Sequence, residues 1–382
     1  MKLIFRFLIF LLFFLAFIFP SVNAEENILL EEHIENIEVL PSNIVVNLPL
    51  DVNQQIAYFV KYFTTEKKEV IQRWFKRCGP YLPYFKTIFR EEKLPEDLVY
   101  LALVESGCNP FAVSRAGAVG IWQFVEVTAR QYGLKIDYWI DERKDFIKAT
   151  YAAARYLKRL YEIFGDWRLA VASYNAGEGR VLRALKSKNY ADYWKVMMSG
   201  AIPFETFAYL PQWLAITILV KNPQKYGFEP IDETPWEYIE IEVPGGIDLK
   251  AIALAANSDL YVIRSLNAEL RREFTPPGYF YSLKLPSKSK DFFYKNLSNL
   301  PLEEVKVNTP NGEVSLFVLS EVTEEIKSKW PKEKEVPFSK TIKTSSDTKK
   351  VQAKLKESSS KTKKSSSKRK KPSSTIKKTK KR

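Results

Sequence analysis

From Val52 to about Phe228 the apolar positions recur every three or four residues. Ile56, Phe59, Val60 and Phe63 form one such set, and Val70, Ile71, Trp74 and Phe75 the next. That spacing lines one face of an α-helix. Gly79-Pro80 interrupts the pattern. It resumes in "KLPEDLVYLALVESG", "FIKATYAAARYLKRLYEIFG", "WRLAVASYNAGEGRVLRALKS" and "ETFAYLPQWLAITILVKNPQKYG". Little in this stretch alternates as a strand does, so residues 53–229 predict a helical domain.

Beyond Tyr226 the period changes. "WEYIEIEVPGG" and "GYFYSLKLP" alternate with period two, whereas "DLKAIALAANS" and "LYVIRSLNAELRR" between them carry helical spacing, the first opened by Asp248. A strand, two helices and a strand over residues 235–287 make a small α+β module. Residues 288–339 are less legible, although "EVSLFVLSEVTEEIKSKW" predicts a strand or helix that packs back. The fold class is therefore mainly α: a helical domain, a βααβ module and a tail.

The two ends differ from the middle. In residues 1–24, Lys2 and Arg6 precede an unbroken apolar run from Phe7 to Phe19, then Pro20 and a small-residue end at Ala24. This is the pattern of a cleaved signal peptide, and the run is short of the roughly 20 residues that cross a bilayer. Export leaving no transmembrane anchor after cleavage is expected, with residues 25–52 as an acidic leader. Hydrophobic residues make up 46% of the chain, enough for a packed core. The net charge of +14 is misleading. The 18 Lys and Arg between Lys340 and Arg382 face only Asp347 and Glu357, so the rest of the chain is slightly acidic. The Ser/Lys/Thr-rich tail at 340–382 cannot bury enough apolar surface to fold and is expected to be disordered. It has no aromatics for base stacking. An exported chain meets anionic envelope surfaces rather than nucleic acid, and the former are its expected partner.

With a single histidine, His33, in the leader, a multi-His metal site is excluded, and no cofactor or metal is expected. Cys78 and Cys108 both lie in the exported portion. They form a disulfide or serve as two small buried hydrophobes, and sequence leaves the choice open.

The unusual residue is Glu105. In "KLPEDLVYLALVESG", Pro95, Glu96 and Asp97 suit a helix start and Gly107 a stop, which places Leu98, Leu101, Ala102 and Glu105 on one face. Apolar neighbours and the negative end of the helix both disfavour ionisation, so the Glu105 pKa is expected to be raised, as suits a general acid that protonates a leaving oxygen. The alternative is a structural glutamate paired with a cation such as Arg115. Downstream, Gly117 and Gly120 permit close backbone approach beside Gln123, an amide suited to sugar hydroxyls. Tyr174 and Asn175 precede a turn made by Gly177 and Gly179.

Glu105-Ser106, Ser114, "GAVGIWQF" and "SYNAGEG", in this order and spacing, resemble the soluble lytic transglycosylase and goose-type lysozyme superfamily, and within it the membrane-bound lytic murein transglycosylase D type. The resemblance implies a lysozyme-like helical domain with a sugar-binding groove and Glu105 as catalytic acid and base. Ser114 and Gln123 would contact substrate, Tyr174 and Asn175 would line the groove, and Tyr209 would be the late tyrosine of the family. The substrate would be peptidoglycan glycan strands. Their MurNAc-GlcNAc bonds would be cleaved without water, to 1,6-anhydromuramic acid ends, by an enzyme of the periplasm or cell envelope. The "IA" of the first module helix, Leu266-Asn267 and Leu285-Pro286 resemble a LysM module, a fold that binds N-acetylglucosamine-containing glycans. Two alternatives stand beside this: a goose-type lysozyme hydrolase, for which Asp137, Asp141 and Glu142 are the nearest second carboxylates, and a catalytically silent wall-binding protein.

Overall fold

A computed structural model describes residues 54–188, 196 and 200–320. The signal peptide, the whole leader, residues 189–195, 197–199 and 321–339, and the basic tail lie outside the described residues.

Helices α1 (Gln54–Thr64), α2 (Lys68–Cys78) and α3 (Leu82–Glu91) open the domain. Gly79-Pro80 forms a 3-10 turn, Gly79–Tyr81, rather than a full stop. The Glu105 segment begins as a 3-10 turn, Glu96–Tyr100, and continues as the short α4 (Leu101–Ser106). A folded loop leads to α5 (Glu126–Gln131) and then to α6 (Phe146–Phe164), α7 (Trp167–Ala176), α8 (Glu178–Lys188) and α9 (Phe204–Lys221). Asp145 and Asp166 cap α6 and α7 by accepting first-turn N–H groups. Gly177, at φ +82, makes the turn expected there and separates α7 from α8, whereas Gly179 falls inside α8.

The core of this domain is aromatic on one side and alanine-rich on the other. Trp122 is fully buried, stacks on Phe89 at 5.5 Å and donates its indole N–H to Thr150 Oγ1 at 2.8 Å. Ala149, Ala152, Ala153 and Ala154 let α6 sit close against its neighbours. Helix α9 is buried on nearly all sides, with Leu210, Trp213, Leu214, Ile216 and Leu219 in the core. Among the described residues no helix is long and apolar enough to cross a membrane.

The module has the predicted order. Strand β1 (Tyr238–Val243) is followed by α10 (Leu249–Ala255), α11 (Leu260–Leu266) and β2 (Tyr281–Pro286), and the strands pair antiparallel with Tyr238 opposite Pro286. The segment that is hard to read in sequence adds α12 (Phe293–Ser298) and a hairpin of β3 (Leu302–Thr309) and β4 (Gly312–Leu319). Phe317 of β4 exchanges backbone hydrogen bonds with Gly246 and Asp248, so the hairpin does pack back on the module.

The module is fastened to the helical domain. Tyr238 packs on Tyr84 and Phe146, and the backbone N–H groups of Asp141 and Arg271 bond across the joint to Glu269 O and Trp139 O at 2.8 and 2.9 Å. At its centre the ammonium of Lys284, only 5% exposed, donates to Asp145 at 2.8 Å and to Glu269 at 3.1 Å. Burial alone would raise the Asp145 pKa, but the charges of Lys284 and Lys148 outweigh it and hold the group below its ordinary range.

Candidate active site

Glu105 is the penultimate residue of α4, and the end of that helix is unusually well held. Gly107 and Cys108 both take left-handed backbone, at φ 58, and their N–H groups return to Leu103 O and Ala102 O, which satisfies helix-end carbonyls. Gly107 is required twice over, since a Cβ there would lie 2.4 Å from the ring of Trp74. Arg77 of α2 reaches across to donate to Gly107 O at 2.7 Å and Ser106 O at 3.3 Å. Cys108 is joined to Cys78 in a disulfide with Cα atoms 5.1 Å apart. This resolves the alternative left open by the sequence.

The carboxyl of Glu105 is half-buried and accepts a hydrogen bond from the hydroxyl of Tyr209 on α9. Among the described residues no Arg or Lys pairs with it, and Arg115 is exposed. Its pKa is pushed up to about 7. Desolvation is the main cause, the Tyr209 hydrogen bond opposes it, and the charge of Glu205 adds to it. Burial, and then the Glu105 charge, hold the hydroxyls of Tyr209 and Tyr174 well above the ordinary tyrosine range, so both are donors at neutral pH.

The loop 112–124 folds onto this helix end. Ser106 Oγ donates to Ile121 O at 2.9 Å, and Tyr174 of α7 donates to Trp122 O at 2.9 Å. Within the loop, Ser114 Oγ accepts from Ala118 N at 3.0 Å, and Gln123, at φ 49, donates its amide to Gly120 O at 2.8 Å. Asn175 Oδ1 accepts from Thr206 Oγ1 at 2.8 Å, tying the end of α7 to the start of α9. Tyr209 is thus in direct contact with Glu105, and Tyr174 is close enough to feel its charge. Ser114, Gln123 and Asn175 are half-buried, and each commits one polar atom to the frame of the site.

Asp137, Asp141 and Glu142 have other work. Asp137 accepts from the N–H groups of Trp139 and Ile140, Asp141 holds Arg143, and Glu142 takes Lys135 N and Lys148 Nζ. Asp141 caps the 3-10 turn Glu142–Lys144, whereas Asp145 caps the following helix. Residues that the sequence reasoning missed are Arg77, Thr206 and Glu205. Glu205 stands four positions before Tyr209 on one helix, a spacing that was available as a signal. Among the described residues no group of three or more His, Cys, Asp or Glu side chains is gathered for a metal ion. A separate hollow of about 470 Å³, lined by Arg90, Lys93, Glu96, Asp97 and Lys221 among others, does not include Glu105, and its Asp97 is bound by Lys221 at 2.6 Å.

Residues 84–197 match the family described as the transglycosylase SLT domain, and residues 237–301 match the lytic transglycosylase MltD, LysM-like domain. Along the chain the SLT match is thus followed by the MltD-type LysM-like match. Over 229 residues it is 31% identical to the membrane-bound lytic murein transglycosylase D of Escherichia coli strain K12, covering 58% of this chain and 50% of that protein. The same figures hold for the protein of strain CFT073. The chain therefore spans about half the length of these curated relatives. The peptidoglycan transglycosylase gp16 of Escherichia phage T7 is 40% identical over 83 residues, 21% of this chain and 6% of that one. Among solved structures, the 70 kDa soluble lytic transglycosylase of E. coli matches at 23% identity and a TM-score of 0.34, covering 48% of this chain and 32% of that one. Glu105, Ser114, Gln123, Tyr174 and Asn175 fall inside the SLT match, whereas Tyr209 lies beyond its end.

Proposed function

We propose that this protein is a peptidoglycan lytic transglycosylase in which Glu105 is the catalytic acid and base. The observation that carries this is the state of Glu105: a half-buried carboxyl at a helix end, pushed up to about 7 and partnered by a tyrosine hydroxyl rather than a cation. Such a group keeps its proton near neutral pH and delivers it to the oxygen leaving C1 of a muramyl sugar. Glycosidases that use water or an enzyme nucleophile need a second carboxylate about 5–9.5 Å away. Asp137, Asp141 and Glu142 are engaged elsewhere, which favours a substrate that supplies its own nucleophile. The C6 hydroxyl of N-acetylmuramic acid attacks C1, the glycosidic bond breaks, and the Glu105 carboxylate takes the hydroxyl proton. The atoms balance without water, leaving a 1,6-anhydro end and a free GlcNAc hydroxyl. Ser114, Gln123, Tyr174 and Asn175 would line the groove. Export to the envelope accords with the Cys78–Cys108 bridge, which persists in an oxidising compartment.

Glu105→Gln removes the titrating group and keeps the shape. Turnover should fall by about 10²-fold or more while glycan strands still bind. Mass spectrometry of wild-type products should show anhydro-muropeptides. One observation favours the hydrolytic reading, namely that the exposed Glu205 carboxylate is felt at Glu105. Reducing-end products, lost in Glu205→Gln, would establish a lysozyme-type hydrolase instead.

A further inference from the structure

Arg143 sits on the strip between α5 and α6, away from the acid, and is only 7% exposed. Nε and Nη2 donate to the two oxygens of Asp141, both at 2.8 Å. That satisfies an ion pair. Nη1 does something the pair does not need: it donates to Gly117 O and to Phe124 O, each at 3.2 Å. Gly117 stands at the tip of loop 112–124 near Ser114, and Phe124 at its base next to Gln123. Midway between them Gly120, at φ +85, lies on the Arg143 backbone so closely that a Cβ would be 1.9 Å from the Arg143 carbonyl oxygen. One residue therefore touches the loop at its tip, its middle and its base. The strip is also held by the LysM-like module, through Glu269 O and the Arg271 N–H.

We propose that Arg143 is a positioning residue for the substrate loop, setting the distance between the tip that carries Ser114 and the base that carries Gln123, with the LysM-like module bracing the strip that holds it. This rests on the assignment of loop 112–124 as a glycan-binding surface in the transglycosylase proposed above. A planar guanidinium can hold Asp141 with one edge and fork onto two carbonyls with its remaining nitrogen, whereas a lysine ammonium cannot do both. Recognition of a sugar by two polar groups depends on their separation, so a loosened loop loses affinity before it loses chemistry.

The test uses the full chain carrying Glu105→Gln, so that purified glycan strands bind without being cut. Into it are placed Arg143→Lys and, separately, Asp141→Leu with Arg143→Met, which replaces a buried ion pair by apolar groups and keeps the fold. Calorimetry should show binding weakened by about tenfold in both, a change confined to loop contacts. Hydrogen exchange should speed up at Val119 and Gly120 while α6 and α9 stay protected. With Glu105 restored, Arg143→Lys should raise KM for soluble strands, change kcat by less than about twofold and leave the pH midpoint unmoved. Unchanged affinity and loop exchange in folded variants overturn the proposal. Exchange that rises equally across α6 and α9, or failure of both variants to fold, also overturns it by reducing Arg143 to a core residue. A parent that binds no glycan strand removes the loop assignment and the proposal with it. Turnover retained by Glu105→Gln instead sinks the acid role and leaves the binding comparison standing.

Discussion

A carboxyl that titrates near neutrality leaves two signatures that can be measured apart. The first is kinetic: with Glu105 as the proposed acid, activity on soluble glycan strands should decline as pH rises through about 7 and Glu105 loses its proton. The Tyr209 hydrogen bond lowers that pKa, so Tyr209→Phe should move the alkaline limb to higher pH while reducing the rate. A limb that moves down or stays put would contradict this role for Tyr209. The second signature is thermodynamic. In the unfolded chain Glu105 titrates near 4.5 and in the folded chain near 7, so the folded state holds an extra proton between those values and loses stability as pH rises through them. Glu105→Gln escapes the cost. Its melting temperature should match wild type near pH 4 and exceed it at pH 8, by a margin corresponding to at most about 3 kcal/mol. Helical spacing and apolar neighbours were enough to read the position and the raised pKa of Glu105 from sequence, whereas the Glu205 charge that adds to it was not read. The Tyr209 hydroxyl was not readable that way, because its contact joins positions 104 residues apart. Nor could motif matching show that Ser114 and Gln123 each spend a polar atom on loop shape.

At the scale of elements, the end of α4 matters most. A helix of six residues has little stability of its own, and this one is held by Arg77, Gly107 and the Cys78–Cys108 bridge. The bridge closes a sequence separation of 30 residues, and removing it by Cys78→Ala with Cys108→Ala should cost about 2–4 kcal/mol, read as a lower melting temperature. An unchanged melting temperature would show that the remaining contacts suffice. Elements with strong periodicity were legible: the helices of the first domain and both strands of the βααβ module. The β3–β4 hairpin was only half seen. Its Pro310-Asn311 turn, with Gly312 opening β4, is a turn signal, but Glu303, Glu304 and Lys306 on β3 blur the alternation because that strand is largely exposed. The split of α7 from α8 was legible at Gly177, whereas Gly179, read as part of the same turn, lies in the first turn of α8.

For the whole molecule, Lys284 is the instructive case. In "YSLKLP" the period-two pattern sets Leu283 and Leu285 inward and Lys284 outward, toward solvent if the module stood alone. The outward face is instead covered by the helical domain, and the ammonium is buried between Asp145 and Glu269. Local sequence cannot show which outer face a neighbour will cover. Lys284→Met should leave those carboxylates without their cation and cost about 3–5 kcal/mol, detected by chemical denaturation. A single concerted transition is expected for both domains, and two separated transitions would show that the joint is dispensable. The stretch that connects them is itself pinned, with the Tyr84 hydroxyl on Trp236 O and Lys86 on Glu233 at 2.6 Å. A protease that nicked this connection would accordingly release nothing: the clipped chain should still elute as one species under native conditions and come apart only in denaturant.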